Sequence, residues 1–254
     1  MDSVLFGSES ISHYSKSNII IWMTLAFQAG ALNMGGFMAC HQFVSHVTGF
    51  ATHFGYQLDQ GRVLTALGIL AVPIFFLLGS ALSGYLIDIR LKLSQKPRYY
   101  IVFGIIFFLI LSICLGGVAG IFGIFGEPLE LSRDYFLLIL LCLPCGIQNG
   151  TVTMVSKSVV RTTHLTGITT DLGLGLVRVL NRRQLDTNIS NERRANWMRA
   201  GIIVFFVFGS VLGGIAHGRY GYAGFFLPVV TSGGLFLVMF YFQVMKSVLP
   251  TSHR

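Results

Sequence analysis

Two short runs of the chain concentrate the residues that can do chemistry. His46-Val47-Thr48-Gly49-Phe50-Ala51-Thr52-His53-Phe54-Gly55 carries imidazoles and hydroxyls, and His164-Leu165-Thr166-Gly167-Ile168-Thr169-Thr170-Asp171-Leu172-Gly173 adds a carboxylate. Imidazoles titrate near neutrality, so they can relay a proton or ligate a metal. Threonine beside glycine suits the start of a helix, where the hydroxyl can cap free N–H groups. The positive end of such a helix favours an anion or a carbonyl-bearing solute. Asp171 would cost roughly 2.5 to 3.5 kcal/mol if carried into a bilayer, so there it must face a cavity or a partner. The structural alternative is an ion pair with Arg161 or Arg178.

The surroundings give that condition its force. The chain has 254 residues, 53% hydrophobic and 11% charged, far below the roughly 25% charged usage of soluble domains. An all-α integral membrane protein is expected. Runs of about 20 apolar residues, enough to cross a hydrocarbon core, are expected at Ile19–Ala39, Val63–Ile87, Ile101–Ile124, Tyr135–Val155, Ala200–His217 and Gly224–Met245. Lys16 and Ala29-Gly30-Ala31 loosely imitate a signal peptide and its cleavage site, but the apolar run continues past them, and the segment is expected to be retained. Pro73, Pro144 and Pro228 are expected to kink their spans. Cys142-x-x-Cys145 has redox spacing, yet cysteines in or beside spans, as Cys40 and Cys114 also are, usually serve packing.

The two polar runs belong to a longer internal repeat. Gly30-Ala31-Leu32-Asn33 precedes the first as Gly146-Ile147-Gln148-Asn149 precedes the second. Downstream, Phe76-Leu77-Leu78-Gly79-Ser80-Ala81-Leu82-Ser83-Gly84 parallels Phe206-Val207-Phe208-Gly209-Ser210-Val211-Leu212-Gly213-Gly214. Three blocks in one order divide the chain into an N-terminal cytoplasmic segment (1–17), a first repeat (18–126), a second repeat (127–247) and a cytoplasmic tail (248–254). The glycines and serines of the third block are expected to pack helices closely.

Loop charge sets the expected topology. Arg90, Lys92, Lys96 and Arg98 make one loop basic, and Arg178, Arg182, Arg183, Arg193, Arg194 and Arg199 make another so. Both are cytoplasmic by the positive-inside rule. Six crossings satisfy this, with each polar run forming an extra re-entrant or broken helix segment, and both termini then lie inside. The first repeat starts inside and the second outside, so the repeats are inverted. In secondary transporters that pattern points to a substrate site where interrupted elements meet near the midplane.

At Phe43-Val44-Ser45-His46-Val47-Thr48-Gly49, and again at Gly146-Ile147-Gln148-Asn149 with Arg161-Thr162-Thr163-His164-Leu165-Thr166-Gly167-Ile168-Thr169-Thr170-Asp171-Leu172, the chain resembles the YoaK-like family of bacterial multi-pass inner-membrane proteins, defined as a domain of unknown function. The resemblance runs from about Ala26 to the last span. Family members tend to have Asn where this chain has Phe50, and often Tyr where it has His164. The resemblance implies a bacterial inner-membrane protein and supplies no activity.

The function expected is a transporter or channel for a small solute, with an anionic or proton-coupled solute favoured by the helix starts and the titratable groups. Its pathway is expected to be lined by Asn33, His46, Thr48, Gly49, Thr52, His53, Gln148, Asn149, His164, Thr166, Gly167, Thr170 and Asp171, with Gln28 nearby. Asp171 stands where His53 stands in the other repeat, an asymmetry that proton coupling could use. The main alternative is a scaffold whose polar motifs only hold helices together. An intramembrane enzyme ranks lower, because neither Gly-x-Ser-x-Gly nor His-Glu-x-x-His occurs. Metal transport through Cys40, His41, His46 and His164 is a minor version of the first reading. No catalytic residue, cofactor or resident metal is expected. The formal charge of +8 lies largely in the two basic loops, and Arg182, Arg183, Arg193 and Arg194 are expected to touch anionic lipid headgroups as well. No nucleic-acid partner is expected, and assembly into an oligomer is left open.

Overall fold

Long uncharged runs become helices here because only a helix satisfies its own backbone N–H and C=O groups away from water. The computed structural model describes residues 16–130, 132–155, 162–183 and 189–245, and every regular element among them is helical. The first part holds α1 (Lys16–Cys40), α2 (Thr48–Asp59), α3 (Val63–Ile69) and α4 (Ala71–Ser83). A π-helical turn, Gly84–Asp88, carries α4 into the short α5 (Ile89–Lys92), and α6 (Tyr99–Val118) follows. The second part holds α7 (Ser132–Val155), α8 (Leu165–Leu180) and α9 (Ile189–Tyr220). A 3-10 turn, Gly221–Phe225, leads into α10 (Phe226–Phe240), which ends in a π-helical turn, Tyr241–Met245.

Among the described residues, five helical segments are long and apolar enough to cross a membrane: Asn18–Cys40, Val63–Lys92, Tyr99–Val118, Ser132–Val155 and Ile189–Met245. The chain is a multi-pass membrane protein by this measure. The fifth segment contains the last two apolar runs expected from the sequence, because only the 3-10 turn separates α9 from α10. That segment is not straight. Gly221 has φ +54°, a conformation open chiefly to glycine. A methyl group placed on Gly224 would lie 2.7 Å from the backbone nitrogen of His217. In a continuous helix those residues would be separated by about 10 Å of rise, so the chain doubles back there. His217 Nδ1 donates to the Gly221 carbonyl at 3.1 Å, and the ring stacks on Phe125.

Three pairings build the bundle: α1 lies along α9, α7 along α4, and α6 along α10. Each joins a helix of the first part to one of the second. Glycine makes the close approaches. A methyl on Gly30 would strike the carbonyl of Phe206, and one on Gly146 the carbonyl of Phe76. In the other direction, Gly209 faces the carbonyl of Phe27, and Gly79 that of Leu143. Ser210 Oγ donates to the Gly30 carbonyl at 3.3 Å, and Ser80 Oγ to the Gly146 carbonyl at 3.0 Å. Gly104 lies against the ring of Phe236, and Gly233 against that of Phe107. Small residues at helix crossings let backbones come close enough for van der Waals packing and hydrogen bonds to hold them.

Pro144 lies inside α7 as expected. Pro73 and Pro228 stand in the first turns of α4 and α10, just after the interruption at Leu70 and the 3-10 turn, where the missing N–H breaks no bond within the new helix. All four cysteines are free and buried.

The glycine contacts are testable. Gly30→Ala and Gly146→Ala each drive a methyl into a facing carbonyl and should destabilise the fold by about 1 to 3 kcal/mol. Gly55→Ala has open space around it and should be neutral or stabilising by up to about 1 kcal/mol. Thermal unfolding of the detergent-purified variants, followed by size-exclusion chromatography, distinguishes them. Equal midpoints would show that the glycines do not hold the helices.

Candidate functional site

The site grows from two asparagines. Asn33 on α1 accepts through Oδ1 from the backbone N–H of Ser45 at 3.2 Å. Asn149 on α7 accepts through Oδ1 from Thr163 Oγ1 at 2.6 Å. Ser45 immediately precedes His46, and Thr163 immediately precedes His164. Each asparagine thus ties down the segment leading to its histidine, a role that pathway lining alone does not describe.

Short helices begin directly after these tethers. α2 starts at Thr48 and α8 at Leu165, as the Thr-Gly pairs led us to expect. The expected threonine caps are not in place: Val47 and His164 occupy the cap positions, and neither makes a side-chain cap hydrogen bond. The reason is register. Thr48 and Thr166 already lie inside their helices, and the Thr166 carbonyl is engaged by Thr170 Oγ1 at 3.0 Å, a back-bond within α8.

His46 is half-buried, its ring centroid 4.8 Å from that of Phe43, which in turn stacks on Phe37 at 5.1 Å. Burial first, and then the charge of nearby His164, hold the His46 imidazole below its ordinary value. His53, on α2, accepts through Nδ1 from Gln42 Nε2 at 3.3 Å. Gln42 is buried, and nothing in the repeat pattern marks it.

The outer faces of both short helices are open. Thr48, Thr52, Thr166, Thr170 and Asp171 are exposed, and Gly49 and Gly167 are half-buried. Methyl groups on Gly55 and Gly173, the last glycines of the two runs, would meet nothing within 4 Å. Asp171 does not form the ion pair with Arg178 considered as its structural alternative. Arg178 instead lies 3.6 Å from Glu192, which also pairs with Arg199 at 3.0 Å. Arg161 lies outside the described residues.

Gln148 sits elsewhere. It is 1% exposed, and Nε2 donates to the Leu25 carbonyl at 2.8 Å and to Thr162 Oγ1 at 3.2 Å. Its Oε1 accepts from Gln28 Nε2 at 2.9 Å, and Gln28 Oε1 accepts from Thr231 Oγ1 at 3.0 Å. This network joins α1, α7 and α10 with its donors and acceptors engaged, so Gln28 and Gln148 are interior connectors. Among the described residues, no three His, Cys, Asp or Glu side chains group closely enough to hold a metal ion.

The sign of the His46 effect sets a pH prediction. A folded-state value below the unfolded one means that stability is full above the ordinary histidine range and falls as pH drops through it. His164→Gln should raise the His46 value, read from the pH dependence of its ring-carbon NMR signal and assigned by loss in His46→Gln. An unmoved titration would separate the two histidines.

A family model described as "Protein of unknown function (DUF1275)" matches residues 21–239, in keeping with the YoaK-like resemblance. No curated protein and no solved structure matches.

Proposed function

The chain belongs to the DUF1275 family, whose description assigns no activity, and from that premise we propose a bacterial inner-membrane transporter or channel for a small solute, built from two inverted repeats. One observation carries this reading. His46 and His164 each stand at the head of a short helix, α2 and α8, on segments tethered at Ser45 and Thr163 by the paired asparagines Asn33 and Asn149. Two positive helix ends beside two titratable imidazoles favour an anionic solute, or a polar one accompanied by a proton.

Reciprocal contacts support the inverted arrangement. Gly30 against Phe206 answers Gly146 against Phe76, Gly209 against Phe27 answers Gly79 against Leu143, and Gly104 against Phe236 answers Gly233 against Phe107. Such exchange is what a two-fold axis between the repeats requires. The six-crossing topology is supported by the turn at Gly221 and by length. Ile189–Met245 spans 57 residues, roughly 85 Å of helix against a hydrocarbon core of about 30 Å. With α9 and α10 crossing separately, both basic loops and both termini lie in the cytoplasm.

The cross-pairing also names the bodies that could move. Because α1 packs along α9 and α7 along α4, alternating access would rock those two pairs against each other, with the repeats themselves interleaved. The Gln28–Gln148–Thr162 network favours the second reading, a scaffold with a dry interior, since it joins α1 to α7 through buried amides that satisfy one another.

Single cysteines introduced from Val44 to Leu58 and from Thr163 to Val177, in an otherwise cysteine-free protein, decide between them. Aqueous thiol reagents applied from each side should label one face of both segments, and labelling near His46 and His164 should fall when the conducted solute is added. Protection throughout would establish the scaffold. In proteoliposomes, Asp171→Asn and His53→Ala should retain binding but lose proton coupling. Unchanged coupling in both would remove those residues from the mechanism.

A further inference from the structure

The third helix pair leaves open space along its length. Between α6 and α10 runs a groove of ≈ 530 Å³, lined chiefly by Tyr100, Ile105, Phe108, Leu109, Phe236 and Phe240. Its walls are almost wholly hydrocarbon. From Tyr100 to Leu109 it extends about 14 Å along α6, close to half of the ~30 Å hydrocarbon core. That is the depth of one leaflet.

The Tyr100 end is pinned and charged. Gln243 Oε1 accepts from the Tyr100 backbone N–H at 3.0 Å, and its Nε2 donates to the Pro97 carbonyl at 3.0 Å. This bridge fastens the end of α10 to the start of α6. Beside it stand Lys96 and Arg98, both exposed. Among the described residues neither pairs with an acidic side chain, and the nearby Asp88 is taken by Lys92 at 2.8 Å. An apolar channel one leaflet deep, with two uncompensated cations at its membrane-surface end, matches the two parts of one molecule.

We propose that the α6–α10 groove is a binding site for an anionic phospholipid, with one acyl chain against Ile105, Phe108 and Phe236 and the phosphate held by Lys96 and Arg98. The charged end selects the headgroup, and the groove selects a lipid over a free phosphate. The site is separate from the histidine pair and stands whether or not the chain transports anything.

The test is native mass spectrometry of the purified full chain in micelles doped with phosphatidylglycerol and phosphatidylcholine of matched acyl chains. The wild type should retain phosphatidylglycerol in preference to phosphatidylcholine. Lys96→Gln with Arg98→Gln, both on the surface, should reduce that preference on the order of tenfold. Ile105→Trp, which fills the groove, should lower retention of both lipids. Equal retention of the two lipids by the wild type would overturn the site. So would a preference that survives Lys96→Gln/Arg98→Gln and disappears in Arg193→Gln/Arg194→Gln, which would place the lipid on the other basic loop. A change of oligomeric mass in Ile105→Trp without loss of lipid would make a second copy of the chain the occupant.

Discussion

The approach of one backbone to another at glycine is the constraint on which the remaining structure depends. In the α1–α9 and α4–α7 crossings the missing side chain of Gly30, Gly79, Gly146 or Gly209 is replaced by a carbonyl of the facing helix. Lipid tails are as apolar as leucine, so the hydrophobic effect gives these helices little reason to associate, and close packing must do it. Once the crossings are set, Asn33 lies three residues from one of them and Asn149 three residues from the other. Their hydrogen bonds then set the starting points of α2 and α8. The positions of the histidines therefore follow from contacts made by residues with no side chain at all.

Polar groups in this molecule divide by how well they are satisfied. Gln28, Gln148, Thr162 and Thr231 form a buried network whose members use one another. Ser83 and Thr151 do the same at 2.8 Å on the α4–α7 face. These groups meet the desolvation demand of the membrane internally. Thr48, Thr52, Thr166 and the Asp171 carboxylate instead lie exposed on short helices with few buried residues. Satisfaction is what separates framework from candidate site.

Much of this was legible in the sequence, for physical reasons. Composition and long uncharged runs dictate helices in a bilayer, and the paired Thr-Gly runs mark where α2 and α8 begin. Pairing in space was less accessible. The repeat of Gly-Ser-x-x-x-Gly predicts close packing but not its partner, so that α1 meets α9, and not a neighbour in its own repeat, emerges only from the structure. The tethering by Asn33 and Asn149 depends on segments that lie beside them only after folding. Gln42 carried no signal, because the position aligned with it before the second run is Val160. The threonines misled by one or two residues of helix register, enough to turn an expected cap into a back-bond.

Val160 opposite Gln42, and Asp171 opposite His53, show where the two-fold pattern ends. The framework contacts recur in matched pairs, whereas the titratable groups do not. A perfectly symmetric site would present the same chemistry to both sides of the membrane and would give a bound solute or proton equal energies in mirror-related positions. Here one short helix offers an imidazole held by a buried amide, and the other an exposed carboxylate. The two runs thus differ at their ionisable residues, whereas the glycine crossings that define the fold recur in matched pairs.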